Sequence, residues 1–309
     1  MSKNTNIAAT VTSTITTRER AEVDAANTSG RQPVVFVHGL WLLASSWQTW
    51  KDLFEANGYA AIAVDWPDDP ATVDEGRANP QAFAKKKVGQ IADHVAEVIG
   101  SLDRKPIVIG HSFGGLLTQI VAGRGITAGA VAIDPAPFKG VLPLPMSALR
   151  SAFPVLHNPA NYNRSVMLTP DQFRYGFTNM LSEEEAAAAY ATYPVPTPGA
   201  PLFQAATANL TFGGQTRANT KHADRGPLLI ISGENDTTVP FAMAHAAYKK
   251  QRRNASVTEF VELPGRGHSL IFDSGWTEVA QTALAFLDKN GLAQQNRAAN
   301  GEATVGGAV

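Results

Sequence analysis

Cysteine is absent from all 309 residues. Its absence excludes disulfide bridges, a cysteine nucleophile and thiolate metal sites, and it says little about redox compartment. No apolar run approaches the ~18 residues that a membrane-spanning helix needs. Residues 1–17, rich in Thr, Ser and Asn, lack the apolar core of a signal peptide, so the expected location is the cytoplasm. Neither sign of charge dominates: 26 Lys and Arg stand against 27 Asp and Glu, for a net charge of −1. The cations are scattered, and no basic face is there to hold nucleic acid. The seven histidines never recur at His-x-x-x-His spacing, so no metal ligand set is expected. What remains is a globular chain, 44% hydrophobic and 17% charged, with ample material for a core.

Short apolar runs alternate with helical periodicity through the first half of the chain. Pro33–Val37, Tyr59–Asp65, Pro106–Ile109 and Ala130–Asp134 read as strands buried on both faces of a parallel sheet. Between them, Ser45 or Ser46 is placed to cap a helix carrying Trp47, Trp50, Leu53 and Phe54. A second helix is predicted over residues 81–102, with Val88, Ile91, Val95, Val98, Ile99 and Leu102 on its apolar face. Lys85, Lys86 and Lys87 open that helix and read as a solvated face. Weak alternation in Ala9–Thr16 suggests one or two edge strands within residues 1–30.

The alternation stops at Pro135. Residues 136–225 contain no buried strand but several helical pieces, over 145–153, 169–178, 182–193 and 200–210. Thr169-Pro170-Asp171-Gln172 and Ser182-Glu183-Glu184-Glu185 carry the capping residue, proline and acids of helix starts. Pro194–Pro198 reads as an extended link. This segment is poor in charge and rich in Phe, Tyr and Met, among them Phe173, Phe177, Tyr190 and Phe203, so the cleft it borders is expected to be apolar. The strand pattern resumes at Leu228–Ile231 and Val257–Leu263, with helices near 241–253 and 274–289. Gly291–Val309 is small and polar, the composition of a disordered tail.

The chemistry centres on Gly110-His111-Ser112-Phe113-Gly114. A strand, Gly-x-Ser-x-Gly and then a helical pattern (Leu116, Leu117, Ile120, Val121) make a turn sharp enough to expose the serine at the sheet's end. A serine hydroxyl needs a base to take its proton and an acid to orient that base. His268, in a Gly-rich loop after the last strand, is the best-placed base. Asp236, in Gly233-Glu234-Asn235-Asp236-Thr237-Thr238-Val239-Pro240, is the best-placed acid. Asp134, which also ends a strand, is a real competitor, and Glu234 a weaker one. The order Ser112, Asp236, His268 is that expected with this elbow. An oxyanion formed at Ser112 needs backbone donors, expected to be the N–H groups of Phe113 and of Leu40 in the turn His38-Gly39-Leu40-Trp41.

From Pro33 to Asp288 these motifs resemble an α/β-hydrolase-fold serine hydrolase of the lidded esterase/lipase-like type. The resemblance implies a mostly parallel sheet of about eight strands flanked by helices. It also implies a core of residues 31–135 and 226–290 and a helical cap, 136–225, inserted after the sixth strand. Its activity would be cofactor-independent hydrolysis of a small apolar ester or lactone. Related epoxide hydrolases and dehalogenases usually carry Asp where this chain has Ser112, which argues against both chemistries. The loop Asp65–Pro70 departs from the glycine-rich turn of many relatives. The same residues are compatible with perhydrolysis or with amide or C–C bond cleavage. A ligand receptor on this fold is the alternative of another class.

Overall fold

The apolar runs fold as buried strands because parallel pairing leaves both of their faces covered. The computed structural model describes residues 14–142, 144–211 and 214–293. Helix α1 (Thr17–Ser29) precedes β1 (Pro33–Val37), α2 (Gln48–Ala56) and β2 (Ala60–Val64). Helices α3 (Val73–Ala78) and α4 (Val88–Gly100) lead to β3 (Ile107–His111), α5 (Phe113–Ala122) and β4 (Gly129–Ile133). The next segment holds α6 (Met146–Leu156), β5 (Ser165–Val166), α7 (Pro170–Gly176), α8 (Glu183–Thr192), β6 (Thr197–Pro198) and α9 (Ala200–Ala206). The chain then returns to β7 (Leu228–Gly233), α10 (Phe241–Gln251), β8 (Thr258–Leu263) and α11 (Trp276–Lys289).

Six strands form one sheet in the order β2-β1-β3-β4-β7-β8, and every pairing is parallel. Alternate side chains enter two apolar layers. Val35, Val37, Val64 and Val108 pack with Val23, Val95 and Leu117 of α1, α4 and α5. Phe36, Ala63 and Ile109 pack with Trp50, Phe54, Val279 and Leu287 of α2 and α11. The sheet has six strands among the described residues rather than about eight, so the long insertion follows the fourth strand, β4. Within it the two-residue strands β5 and β6 pair antiparallel, a short ribbon where no buried strand is predicted. The expected caps of α7 and α8 are present: the Thr169 and Ser182 side chains accept from Gln172 N and Glu185 N. No helix of the described residues is long and apolar enough to cross a membrane.

The N-terminal region differs from expectation. Residues 17–29 form a helix, while the alternation Ala9–Thr16 read as edge strand falls mostly within residues 1–13, which, like the tail beyond 293, lie outside the described residues. The helix is capped by a reciprocal Thr16–Glu19 box. Its polar side chains close the exposed edge of β2: Glu22 accepts from Ala63 N, Glu19 accepts from Asp65 N, and Arg18 donates to Ala63 O. An edge strand needs its free N–H and C=O groups satisfied, and here side chains of a helix do so. Burial raises the Glu19 carboxyl, but its hydrogen bond to His94 Nε2 at 2.9 Å, with the Thr16 bonds, brings it net below the usual carboxylate range.

The helix predicted over 81–102 is also interrupted. A 3-10 turn ends at Phe83, Lys85 takes φ 65°, and α4 starts only at Val88. The break carries Lys86 inward, where its Nζ meets Asp69 Oδ1 at 2.5 Å with both side chains buried. Lys86 is therefore no solvated residue. Lys86→Met is expected to cost about 3 kcal/mol, because it strands the Asp69 charge in the interior. Denaturant midpoints of Lys86→Met and of Lys86→Met/Asp69→Asn check this, the double variant recovering most of the loss. Ser45 and Ser46 do not cap α2; the Ser46 hydroxyl donates to Leu43 O within the preceding turn.

Candidate active site

Ser112 stands between β3 and α5 with φ 56° and ψ −119°, a conformation costly for a residue with a Cβ. The surroundings hold it there. Its N–H donates to Ile133 O at 2.9 Å, and its C=O accepts from Leu116 N and Ala136 N. Two glycines permit the turn. A Cβ on Gly110 would overlap the Gly114 carbonyl, and one on Gly114 would overlap the Val37 carbonyl. The elbow therefore exists only because α5 lies directly against β1 and β3.

Three of the predicted residues meet at this point. His268 Nε2 is 3.0 Å from Ser112 Oγ, and His268 Nδ1 is 2.5 Å from Asp236 Oδ2. Asp236 Oδ1 accepts from the N–H groups of Thr238 and Val239 at 2.7 and 2.8 Å, the first turn after β7. All three side chains are buried. With Nδ1–H donating to the carboxylate, Nε2 presents its lone pair to the serine hydroxyl, as a base must. Phe177 packs edge-on against the His268 ring at 5.0 Å. Glu234 is elsewhere: its Oε2 accepts from Gly265 N on the exposed side of the loop. Asp134 lies inside the site, its Oδ2 3.9 Å from His268 Nδ1.

The turn His38–Trp41 faces the serine. A Cβ on Gly39 would come within 2.8 Å of Ser112 Cβ, so only glycine admits so close an approach. Leu40 and Phe113 both line the space in front of Ser112. Phe113 is the first residue of α5, whose N–H has no acceptor within the helix. Trp41 takes φ 63° and is tied to the inserted segment twice, its indole donating to Val166 O and its carbonyl accepting from Val195 N. Behind the turn, the His38 ring stacks on Trp66 at 5.0 Å and places Nε2 3.2 Å from Asp69 Oδ2, off the hydrogen-bond line. The unusual Asp65–Pro70 loop thus braces the turn, through the same Asp69 that holds Lys86.

An apolar recess opens over Ser112, between the sheet's end and the inserted helices. Leu144, Ala148, Ala152 and Leu156 of α6 and its approach form one wall, with Leu202, Ala205 and Ala206 of α9 beside them. Val239 and Met243 close the base. The apolar character agrees with expectation, but the side chains do not. The inserted helices contribute mainly Leu and Ala to the lining, whose aromatic rings are those of Trp41 and Phe113, whereas Phe173, Phe177 and Tyr190 pack among themselves and against Phe272 or His268.

Residues 34–282 match the alpha/beta hydrolase family. The chain belongs to that family. No curated protein matches it significantly. Among solved structures it is similar to a monoacylglycerol lipase from Paleococcus ferrophilus, with 21% identity, TM-score 0.57, and 84% of this chain and 94% of that one covered. It is also similar to a mutant of polyneuridine aldehyde esterase, with 19% identity, TM-score 0.58, and 82% and 98% covered. A methylesterase from Arabidopsis gives 16% identity, TM-score 0.59, and 84% and 99% covered. At these identities the likeness speaks for the shared fold.

Two features of this alpha/beta hydrolase site escaped sequence reasoning. His111 is buried next to the serine, and its Nε2 donates to the His268 carbonyl at 2.9 Å, fastening the histidine loop to β3. Burial, reinforced by the neighbouring His268, pushes its pKa well below the usual value, so it is a neutral strut. Its place after the strand glycine was the only available signal. Nitrogen and oxygen atoms of His111, Asp134 and His268 lie within 4.8 Å of one another, a grouping with metal-ligand composition. His268 already uses Nδ1 toward Asp236 and Nε2 toward Ser112, so it has no lone pair left to give an ion there.

Proposed function

We propose that this alpha/beta hydrolase cleaves a carboxylic ester or lactone with an apolar acyl or alcohol part, through an acyl-enzyme on Ser112. The observation that carries the reading is the buried chain Ser112–His268–Asp236, which opens into a mainly apolar recess. Ser112 Oγ attacks the carbonyl carbon while His268 Nε2 takes the hydroxyl proton. The N–H groups of Leu40 and Phe113 receive the oxyanion, and Asp236 stabilises the imidazolium. The imidazolium gives its proton to the leaving alkoxide, which departs as the alcohol. Water then attacks the acyl carbon, losing a proton to Nε2; the acyl–Oγ bond breaks, Nε2 returns that proton to Ser112 Oγ, and the acid leaves. The strained Ser112 backbone supports this role, because strain of this kind is held where a side chain must be presented.

The test is a panel of esters and lactones graded by acyl and alcohol size, run beside a phosphonate probe that phosphonylates activated serines. Hydrolysis together with a single adduct mapped to Ser112 supports the reading. Absence of both hydrolysis and adduct overturns it. Ala152→Trp places an indole in the α6 wall of the recess. It is expected to lower kcat/KM for long acyl chains by about 10- to 100-fold while sparing the shortest esters, since only the long chains need the filled volume. Equal losses at every chain length would place substrate elsewhere.

A further inference from the structure

Two carboxyl groups, not one, stand behind His268. Asp134 ends β4 with φ 41°, its N–H bonded to Ile231 O and its Oδ1 accepting from Gly233 N at 2.8 Å. It is fully buried. Its Oδ2, 3.9 Å from His268 Nδ1, receives no donor from the described residues, and Asp236 Oδ2 stands 2.5 Å from the same nitrogen, so two carboxyls converge on one N–H. The other ionisable groups facing Asp134 are His111 from β3 and His268 and Arg266 from the loop after β8. His111 is neutral, and Arg266 gives its guanidinium to Asp273 and Glu278. No cation is therefore spent on Asp134. Two facing acceptors in a closed, poorly polarisable space are satisfied only when one of them carries a proton.

We propose that Asp134 is a positioning residue acting through Asp236: it holds the single proton shared by the two carboxyls, donates it in a hydrogen bond to Asp236, and becomes the acceptor for His268 Nδ1–H when Asp236 is neutralised. The proposal rests on the Ser112–His268–Asp236 reading above. Asp236 keeps the charge because two backbone N–H groups point at its Oδ1, whereas Asp134 has one. Burial, and then the charge of Asp236, push the Asp134 carboxyl well above the usual range, in keeping with a neutral acid. Replacing Asp236 by Asn removes that opposing charge. Asp134 then releases its proton to solvent and faces Nδ1 as a carboxylate.

A double-mutant cycle tests this. Asp134→Asn reproduces the neutral acid's shape and donor, and is expected to lower kcat/KM by no more than ~10-fold, whereas Asp134→Ala, which leaves Gly233 N–H unpaired, costs more. Asp236→Asn is expected to lose ~10- to 100-fold, and Asp134→Asn/Asp236→Asn ~10⁴-fold, the full loss of a triad acid, so the two sites are strongly non-additive. Thermal unfolding against pH gives a readout independent of turnover. A carboxyl whose folded pKa is raised stabilises the fold fully below its ordinary value of 3.8 and loses that contribution as pH climbs toward the folded pKa. The Tm of Asp134→Asn minus that of the wild type is therefore expected to grow as pH rises above that value. A double variant no worse than the product of the singles, or a flat Tm difference, overturns the proposal. So does an Asp134→Asn variant as inactive as the double. Failure of the underlying reading would show separately, as full activity in Ser112→Ala, whatever the pH dependence of Tm.

Discussion

Ser112→Ala is expected to lower kcat/KM toward esters by roughly 10⁴- to 10⁶-fold, the scale on which removal of a serine nucleophile disables a triad. A residual rate is expected from the proposed oxyanion donors and the recess, both left in place. The fold is expected to survive. The Ser112 hydroxyl makes one hydrogen bond, to His268 Nε2, while the contacts that hold the turn are made by its backbone N–H and C=O. Alanine keeps the same Cβ in the same positive-φ conformation, so it adds no strain. Kinetics with the best ester of the panel, beside a thermal unfolding curve and the phosphonate adduct, check all three points. A folded Ser112→Ala protein that retains its hydrolytic rate would remove Ser112 from the chemistry.

Gly114→Ala is expected to have the largest effect on stability. Its Cβ would overlap the Val37 carbonyl oxygen and sit 2.7 Å from that of His38. Both obstacles are backbone, so no side-chain rotation relieves them, and α5 must move away from β1. Overpacking against a rigid neighbour costs about 3 kcal/mol or more, or a fall in Tm of about 6–12 °C for a domain of this size. Activity falls with it, because the same shift moves Phe113 N–H and the His38–Trp41 turn apart. Gly100→Ala is the control. A Cβ there meets nothing within 4 Å at the end of α4. Helix propensity favours alanine by up to about 1 kcal/mol, so this variant is expected to be at least as stable as the parent. Equal thermal stability of the two variants would show that the elbow tolerates a side chain.

The parts of the molecule that were legible in the sequence are those whose signal is local. A buried parallel strand needs a short continuous apolar run, and β1, β2, β3, β4 and β7 each lie on one. Helix starts announce themselves within four residues, as Thr169 and Ser182 do. Helix α1 was illegible for the same reason in reverse. Only Glu19, Val23 and Ala26 of its residues are buried, and its hold on β2 is made by Arg18, Glu19 and Glu22, which carry no apolar period. Lys86 was misplaced because the turn at Lys85 shifts its direction, and its partner Asp69 lies in a loop 17 residues away.

By itself the sequence determined that a serine elbow, a histidine loop and an acid loop follow the ends of β3, β8 and β7, since each motif is fixed by its distance from the strand before it. Whether they meet was a tertiary matter. β7 lies between β8 and β4, the strand that ends before the long inserted segment, and that order brings both Asp134 and Asp236 to one imidazole. Backbone donors distinguish the two acids: two N–H groups point at Asp236 and one at Asp134. The aliphatic wall of the recess was decided in the same way. Helical period says which residues share a face, but only the packing of α6 and α9 over the sheet says that alanines and leucines, rather than the aromatic residues nearby, look down on Ser112.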